Sequence, residues 1–293
     1  MELNSELVTE APRPAATVIL LRDGTDGLEV FLLKRHGLSD VLGGAYVFPG
    51  GKLDPSDAQL DAGNHLDMPL DTLHARLNET NISPAEAAGL HVAALREAFE
   101  ESGVLLAHDP SGRAANTTEA SARLKNGMSF NDMLAHMQLR LHTSGVLTWS
   151  RWITPQMPSV TRRRFDTRFF VTTVPHLQEA AHDDVETTAS SWLAPREALT
   201  QYWAGQIELA PPQIMTLAEL ASHASVASAL TVPARRPPPV IQPEPFEHEG
   251  TRVITYPGDE RHSIKQRIWS GPTRLAYRNK RFEPLDGFES LFA

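Results

Sequence analysis

Three carboxylates fall within the stretch Arg96-Glu97-Ala98-Phe99-Glu100-Glu101-Ser102-Gly103-Val104. In a helix, residues three and four apart share a face, so Glu97, Glu100 and Glu101 project together. Like charges at that spacing repel, and a sequence that keeps all three calls for a compensating cation. The donors are hard oxygens, which suit a hard divalent ion such as Mg2+. The generic alternative for an acidic run is a solvated helix face.

The flanking residues decide between these readings. Upstream, Phe48-Pro49-Gly50-Gly51-Lys52-Leu53-Asp54 reads as a strand end running into a glycine turn. Downstream, Gly103 stops the helix ahead of Val104-Leu105-Leu106. Together these resemble the Nudix hydrolase signature, G-x5-E-x7-R-E-U-x-E-E-x-G-U, where U is a bulky apolar residue. The second half matches at every fixed acidic, basic and glycine position, with small Ala98 in the first apolar slot. The first half departs from it. Asp57 stands where the signature has its first glutamate, and 38 residues separate it from Arg96, so an insertion of about 31 residues splits the box. That layout resembles the coenzyme A diphosphatase group related to a mammalian peroxisomal enzyme. So do Arg164-Phe165-Asp166-Thr167-Arg168-Phe169-Phe170, Trp192-Leu193-Ala194-Pro195 and Leu209-Ala210-Pro211-Pro212, and the resemblance covers roughly residues 14 to 220.

The resemblance implies an α/β fold, the Nudix α/β/α sandwich around a mixed β-sheet, with an insertion inside the box and a C-terminal β-rich extension. Residues 1–13 then form a polar leader, 14–230 the Nudix domain with its insert at about 55–82, and 231–293 a Pro-rich connector and extension packed on the same domain. It implies hydrolysis of a diphosphate linkage in a nucleotide conjugate, with Mg2+ or Mn2+ as cofactor. The favoured substrate is coenzyme A or acyl-coenzyme A, giving 3',5'-ADP and a 4'-phosphopantetheine product. The same chemistry on NADH, ADP-ribose or another nucleotide is the first alternative, and a non-catalytic nucleotide-binding module the second. Glu97 and Glu101 would be the firmest metal ligands, with Glu100 beside them and the backbone carbonyl of Gly50 or Gly51 completing the set. Arg96 would orient the acidic cluster by ion pairing. Family members often draw a general base from a distant loop, which points to Glu186, with Glu179 and Asp184 as rivals. A homodimer is the usual assembly.

Charge supplies the remaining site residues. Arg162, Arg163, Arg164 and Arg168 concentrate positive charge beside a strand, which suits a phosphorylated leaving half. Phe165, Thr167 and Phe169 share one face of that strand and Arg164, Asp166 and Arg168 the other. Arg164 and Arg168 are the preferred phosphate ligands, and Arg35 is a third. The histidines show no metal-ligand spacing, and none is assigned to a site.

Several elements must position these groups. Ala15–Leu21 and Leu28–Arg35 read as strands joined by a Gly- and Asp-rich turn, with a third strand at Ala45–Phe48. A short helix is expected around Leu70–Leu77. Ser83-Pro84-Ala85-Glu86 combines an N-cap, a first-turn proline and a glutamate three residues on, which starts the helix carrying the carboxylates. Helices are expected at 117–125 and 129–141, the latter with a packing stripe of Phe130, Met133, Leu134, Met137 and Leu141. Strands follow at Gly145–Ile153, Arg164–Val174 and Thr187–Leu193. Helices follow at Pro195–Trp203 and from Pro212 to about Leu230, and the Pro-rich run near Arg235-Arg236-Pro237-Pro238-Pro239 reads as an extended connector.

At 293 residues the chain supports a large core. Its net charge of -9 argues against a nucleic-acid surface, and no apolar run approaches the ~20 residues that cross a bilayer. With no cysteine, a metal site must use oxygen or histidine. No secretory or transit pattern is visible, and Ser290-Leu291-Phe292-Ala293 is not a peroxisomal address, so a cytoplasmic location is the default expectation.

Overall fold

The computed structural model describes residues 3–4, 6–37, 42–157, 163–183 and 187–293. Branched and aromatic runs separated by turn residues build its central sheet. The expected hairpin is β1 (Arg13–Gly24) and β2 (Gly27–Arg35), with Leu21 opposite Val30. β3 (Tyr46–Val47) pairs with β2, and β4 (Gly50–Lys52) pairs with β1, Gly51 facing Ala16. The expected glycine turn is therefore a short strand. Two-residue strands β5 (Ala107–His108) and β6 (Arg140–Leu141) pair with each other. β7 (Leu147–Ile153), β8 (Phe165–Thr173) and β9 (Thr187–Leu193) rejoin the main sheet, where β8 runs parallel to β1 and β9 antiparallel to β2. The sheet is mixed, in the order β10-β7-β8-β1-β2-β3, with β10 (Val240–Ile241) parallel to β7.

The insertion holds a 3-10 turn at Asp57–Gln59, then α1 (Ala62–His65) and α2 (Leu70–Leu77). α3 (Pro84–Ser102) starts as its sequence dictates: the Ser83 hydroxyl accepts the Glu86 amide at 3.1 Å, with proline in the first turn. It ends at Gly103, whose φ of 72° is the left-handed conformation that glycine adopts without strain. α4 (Thr117–Lys125) and α5 (Phe130–His136) follow. α5 is shorter than its apolar stripe suggested. Gln138 turns left-handed at φ 51°, which lets Arg140 and Leu141 lie beside β5. After α6 (Pro195–Trp203), the single helix expected from Pro212 divides into α7 (Pro211–Leu220) and α8 (Val226–Arg235). Ser225 caps the second by accepting the Ser228 amide at 3.2 Å. The Pro-rich connector is also more structured than expected, since α8 runs through Pro233 and β10 follows.

Alternation along β1 and β2 sends side chains to two cores. Val18, Leu20, Phe31 and Leu33 meet Leu90, Ala94 and Phe99 of α3 on one side. Ile19, Leu21, Val30 and Leu32 meet Leu199, Ile214 and Leu217 of α6 and α7 on the other. Each such fully buried side chain stabilises by roughly 1.5–3 kcal/mol, and this double burial is what fixes the register of the sheet. Strands β11 (Glu244–His248), β12 (Thr251–Thr255), β13 (Arg274–Arg278) and β14 (Arg281–Pro284) form a second antiparallel sheet. Ile254, Leu275 and Phe282 from it, with Tyr256 just after β12, join the second core. Trp152 of β7 stacks on Trp269 at 6.0 Å, and the Tyr202 hydroxyl donates to the Phe282 carbonyl at 2.9 Å. Among the described residues no helix is long and apolar enough to cross a membrane.

Candidate active site

The last two turns of α3 bring Arg96, Glu97, Glu100 and Glu101 against β4. Glu101 is buried, and its carboxylate accepts the Gly50 amide at 2.8 Å. Any β-carbon on Gly51 would sit 2.2 Å from a Glu97 oxygen, so a side chain there would displace the carboxylate. At Gly50 a β-carbon would meet the Ala16 carbonyl and Thr17 Cα of β1 at 2.6 and 2.7 Å, backbone that cannot yield, so glycine is required there.

Arg96 organises the cluster. Its Nε and Nη2 donate to the two Asp57 oxygens at 2.8 and 3.0 Å, while Nη1 donates to Glu97 at 2.9 Å and to Glu100 at 2.8 Å. Burial by itself would lower the guanidinium pKa; the bond to Asp57 and the charges of Glu97, Asp57 and Glu100 outweigh it and hold the pKa above its ordinary value. Arg96 is therefore a permanent cation. Asp57, itself buried, thus meets the box arginine across the whole insertion. The sequence placed Asp57 at the first glutamate position but could not show that the chain returns to close this pair.

Beside the cluster lies a cavity of about 1010 Å3, large enough for a nucleotide conjugate. Gly50, Gly51, Lys52, Arg96, Glu97 and Glu100 line it, together with Phe48, Trp152, Phe165, Thr167, Phe169, Ala210 and Gln213. Among the described residues, three further cations border it: Arg35, Lys52 and Arg163. Arg35 was expected here, whereas Lys52 was overlooked and Arg163 passed over in favour of its neighbours. The cavity thus joins an oxygen-rich wall, cations and aromatic surface, an arrangement that can hold a metal-bound diphosphate with an attached ring or chain.

Arg164 and Arg168 do not share this cavity, which corrects their expected phosphate-binding role. β8 turns Phe165, Thr167 and Phe169 to the cavity, and its two-residue period sends the arginines the other way. Arg168, 2% exposed, donates through Nε and Nη2 to Glu79 at 2.9 and 2.5 Å, and Arg151 reaches the same carboxylate at 2.8 Å. Arg151 also makes a two-pronged contact with Asp166 at 2.8 and 2.7 Å. Arg164 donates to the Thr154 and Glu10 carbonyls, each at 3.0 Å. Glu79 belongs to the inserted segment, so Arg168 and Arg151 anchor the insertion, while Arg164 ties β8 to the backbone at Thr154 and Glu10. The sequence separated the two faces of β8 correctly but carried no signal for which one looks into the cavity.

Among the base candidates, Glu186 and Asp184 lie outside the described residues, as does Arg162. Glu179 lines a different cavity, with Arg22 and Trp192. Asp54 borders the main cavity, where its Oδ1 accepts the amide and hydroxyl of Ser56 at 2.9 and 2.8 Å. Hydrogen bonds from the Ser56 backbone and hydroxyl lower its pKa.

An all-oxygen donor set beside a cation that never deprotonates fits a hard divalent ion. Glu97, Glu100 and Glu101 are the residues that would hold it.

Comparison with known proteins agrees with this geometry. The family model described as the NUDT19 Nudix domain matches residues 7–220. Acyl-coenzyme A diphosphatase NUDT19 of Xenopus laevis is 29% identical over 239 residues, which cover 70% of this chain and 63% of that protein. The chain thus spans less than two thirds of that relative's length. A Caenorhabditis elegans relative named as a nudix hydrolase is 26% identical over 302 residues, covering 97% of this chain and 90% of its own. Among solved structures, a NUDIX hydrolase from Alicyclobacillus acidocaldarius superposes with a TM-score of 0.64 at 28% identity, covering 77% of this chain and 98% of that one.

Proposed function

The chain belongs to the NUDT19 Nudix domain family, and on that premise we propose that it is a divalent-metal-dependent hydrolase cleaving the diphosphate linkage of coenzyme A or acyl-coenzyme A. The products are 3',5'-ADP and a 4'-phosphopantetheine compound. One observation carries the reading: Glu97 and Glu101 meet the Gly51 and Gly50 backbone, and Glu97 and Glu100, joined by Arg96, line the wall of a nucleotide-sized cavity. The acyl-coenzyme A diphosphatase name of the frog relative supports the choice of substrate.

The chain's own residues divide the work. Glu97, Glu100 and Glu101 would hold Mg2+ or Mn2+, with a Gly50 or Gly51 carbonyl as a further donor. When bound, the ion supplies charge neutralisation on the non-bridging phosphate oxygens and lowers the pKa of a coordinated water. Arg96, fixed by Asp57, holds Glu97 and Glu100 in position so that the carboxylates need not reorganise when substrate enters. Arg35, Lys52 and Arg163 bind phosphate oxygens, the task first given to Arg164 and Arg168. Trp152, Phe165 and Phe169 offer apolar surface to the adenine ring or the pantetheine chain and exclude water beside the diphosphate. Glu186 remains the proposed general base.

The test is turnover of coenzyme A, an acyl-coenzyme A, NADH and ADP-ribose by the purified chain with Mg2+ or Mn2+, beside Glu101→Gln. Preferred cleavage of the coenzyme A compounds, lost in the variant, is the expected result. Turnover of none of them, or equal turnover by the variant, refutes the proposal. Preference for NADH or ADP-ribose moves the assignment to the other nucleotide conjugates.

A further inference from the structure

Away from the cavity, the fold gathers three metal-ligating side chains that have no spacing pattern in the sequence. Asp67 follows α1 in the insertion, His108 ends β5, and His142 follows β6. A ligand atom from each lies within 4.8 Å of the other two. Backbone pairing holds them there: the Asp67 amide donates to the Leu141 carbonyl at 3.3 Å, the His142 amide to Leu106 at 2.8 Å, and His108 pairs with Arg140 across the two strands.

The side chains are also oriented. Asp67 Oδ1 accepts the Thr143 hydroxyl at 2.5 Å and the Ser144 amide at 3.0 Å, and Oδ2 accepts the Ser144 hydroxyl at 2.5 Å. His108 Nδ1 lies 3.0 Å from the Asp109 carbonyl, which can only accept, so Nδ1 carries the proton and the neutral ring's lone pair is on Nε2. A backbone carbonyl fixing one ring nitrogen is how ligating histidines are commonly aimed. Asp67 Oδ2 and His142 Nδ1 are 3.3 Å apart. Ligands at ~2.0–2.1 Å on a tetrahedral ion stand about 3.3–3.4 Å from one another, so this pair already has the required separation. A cavity of about 420 Å3 opens on all three residues, with room for an ion and a water.

We propose that Asp67, His108 and His142 form a transition-metal site of the zinc class, separate from the carboxylate cluster, that ties the box insertion to the β5–β6 pair. Two imidazoles and a carboxylate select zinc-like ions over Mg2+, whereas the all-oxygen cluster on α3 does the opposite. The ion would bridge the segments on either side of α3.

The full chain, stripped of metal and then held in excess Mg2+ to fill the oxygen sites, is titrated with Co2+ and followed by its visible ligand-field spectrum and by Tm. The expected result is a saturable cobalt band with a rise in Tm, both retained in Glu101→Gln. Either His108→Ala or His142→Ala weakens the binding by about 10- to 100-fold or more. His142 is exposed and His108 is not buried, so both variants keep the fold, which circular dichroism verifies. No cobalt band in the folded protein, or a band that survives both substitutions, overturns the proposal and leaves Asp67 and His142 as a plain hydrogen-bonded pair.

Discussion

Two charge clusters in this molecule use the same residue types in opposite ways. Where the insertion meets the sheet, Glu79 and Asp166 face Arg151 and Arg168, two anions against two cations with every contact inside the protein. At the end of α3, the single Arg96 is shared by Asp57, Glu97 and Glu100, with Glu101 alongside, and the group borders a large cavity. The first cluster is closed and its chemistry is structural. The second directs an acidic surface at a space that a cation and a diphosphate can fill.

The comparison is broken most sharply at Glu101. Glu101→Gln keeps the shape and the acceptor for the Gly50 amide but removes the charge, and kcat/KM should fall on the order of 10^3-fold while Tm changes little. The matching change in the other cluster is Glu79→Ala, which leaves Arg168 buried without its principal partner. It should destabilise the chain by about 3–5 kcal/mol in urea unfolding, with kcat per folded molecule preserved. A full loss of kcat there would mean that the clusters are not independent.

A buried group with no counter-charge sharpens the contrast. His91 of α3 is fully buried against Phe170, donates Nδ1–H to the Ala87 carbonyl at 3.0 Å, and has its pKa lowered by desolvation to about 4. The unfolded chain takes up this proton near pH 6.5 and the folded chain only near 4. The unfolded state therefore binds more protons in that window, and stability must fall as the pH drops through it, by about 3 kcal/mol in all. His91→Leu should flatten that part of the profile, and an unchanged slope in chemical unfolding would refute the assignment. The smallest effects belong to the cavity cations. Arg35→Ala and Arg163→Ala should each raise KM by about tenfold with little change in Tm, the reverse of the pattern at Glu79.

Local signals made α3 legible. Ser83, Pro84 and Glu86 mark its start and Gly103 its end, and the three-and-four spacing of the carboxylates needs no tertiary information. The β1–β2 hairpin and α2 were readable for the same reason. What failed depended on distant partners. The apolar stripe continues past Met137, but the chain leaves the helix to pair β6 with β5. Ser222 to Ser225 carries no strong breaker, so the division between α7 and α8 was hidden. β8 shows two faces in sequence, yet only the arrival of Glu79 from the insertion decides that Arg168 is an anchor. The histidine cluster was invisible because its members come from three elements that sequence spacing does not connect.

The short strand β10 carries a consequence for the whole chain. Arg151 donates its amide to the Pro239 carbonyl at 2.9 Å, and Val240 and Ile241 continue along β7, so the tail covers part of the outermost rim of the sheet. Shortening the protein to its first 235 residues would bare that rim and uncover Trp152 together with it. Unpaired amides beside a tryptophan invite self-association. The C-terminal segment, distant in sequence from the α3 carboxylates, thus occupies an edge that would otherwise be open to a neighbouring molecule.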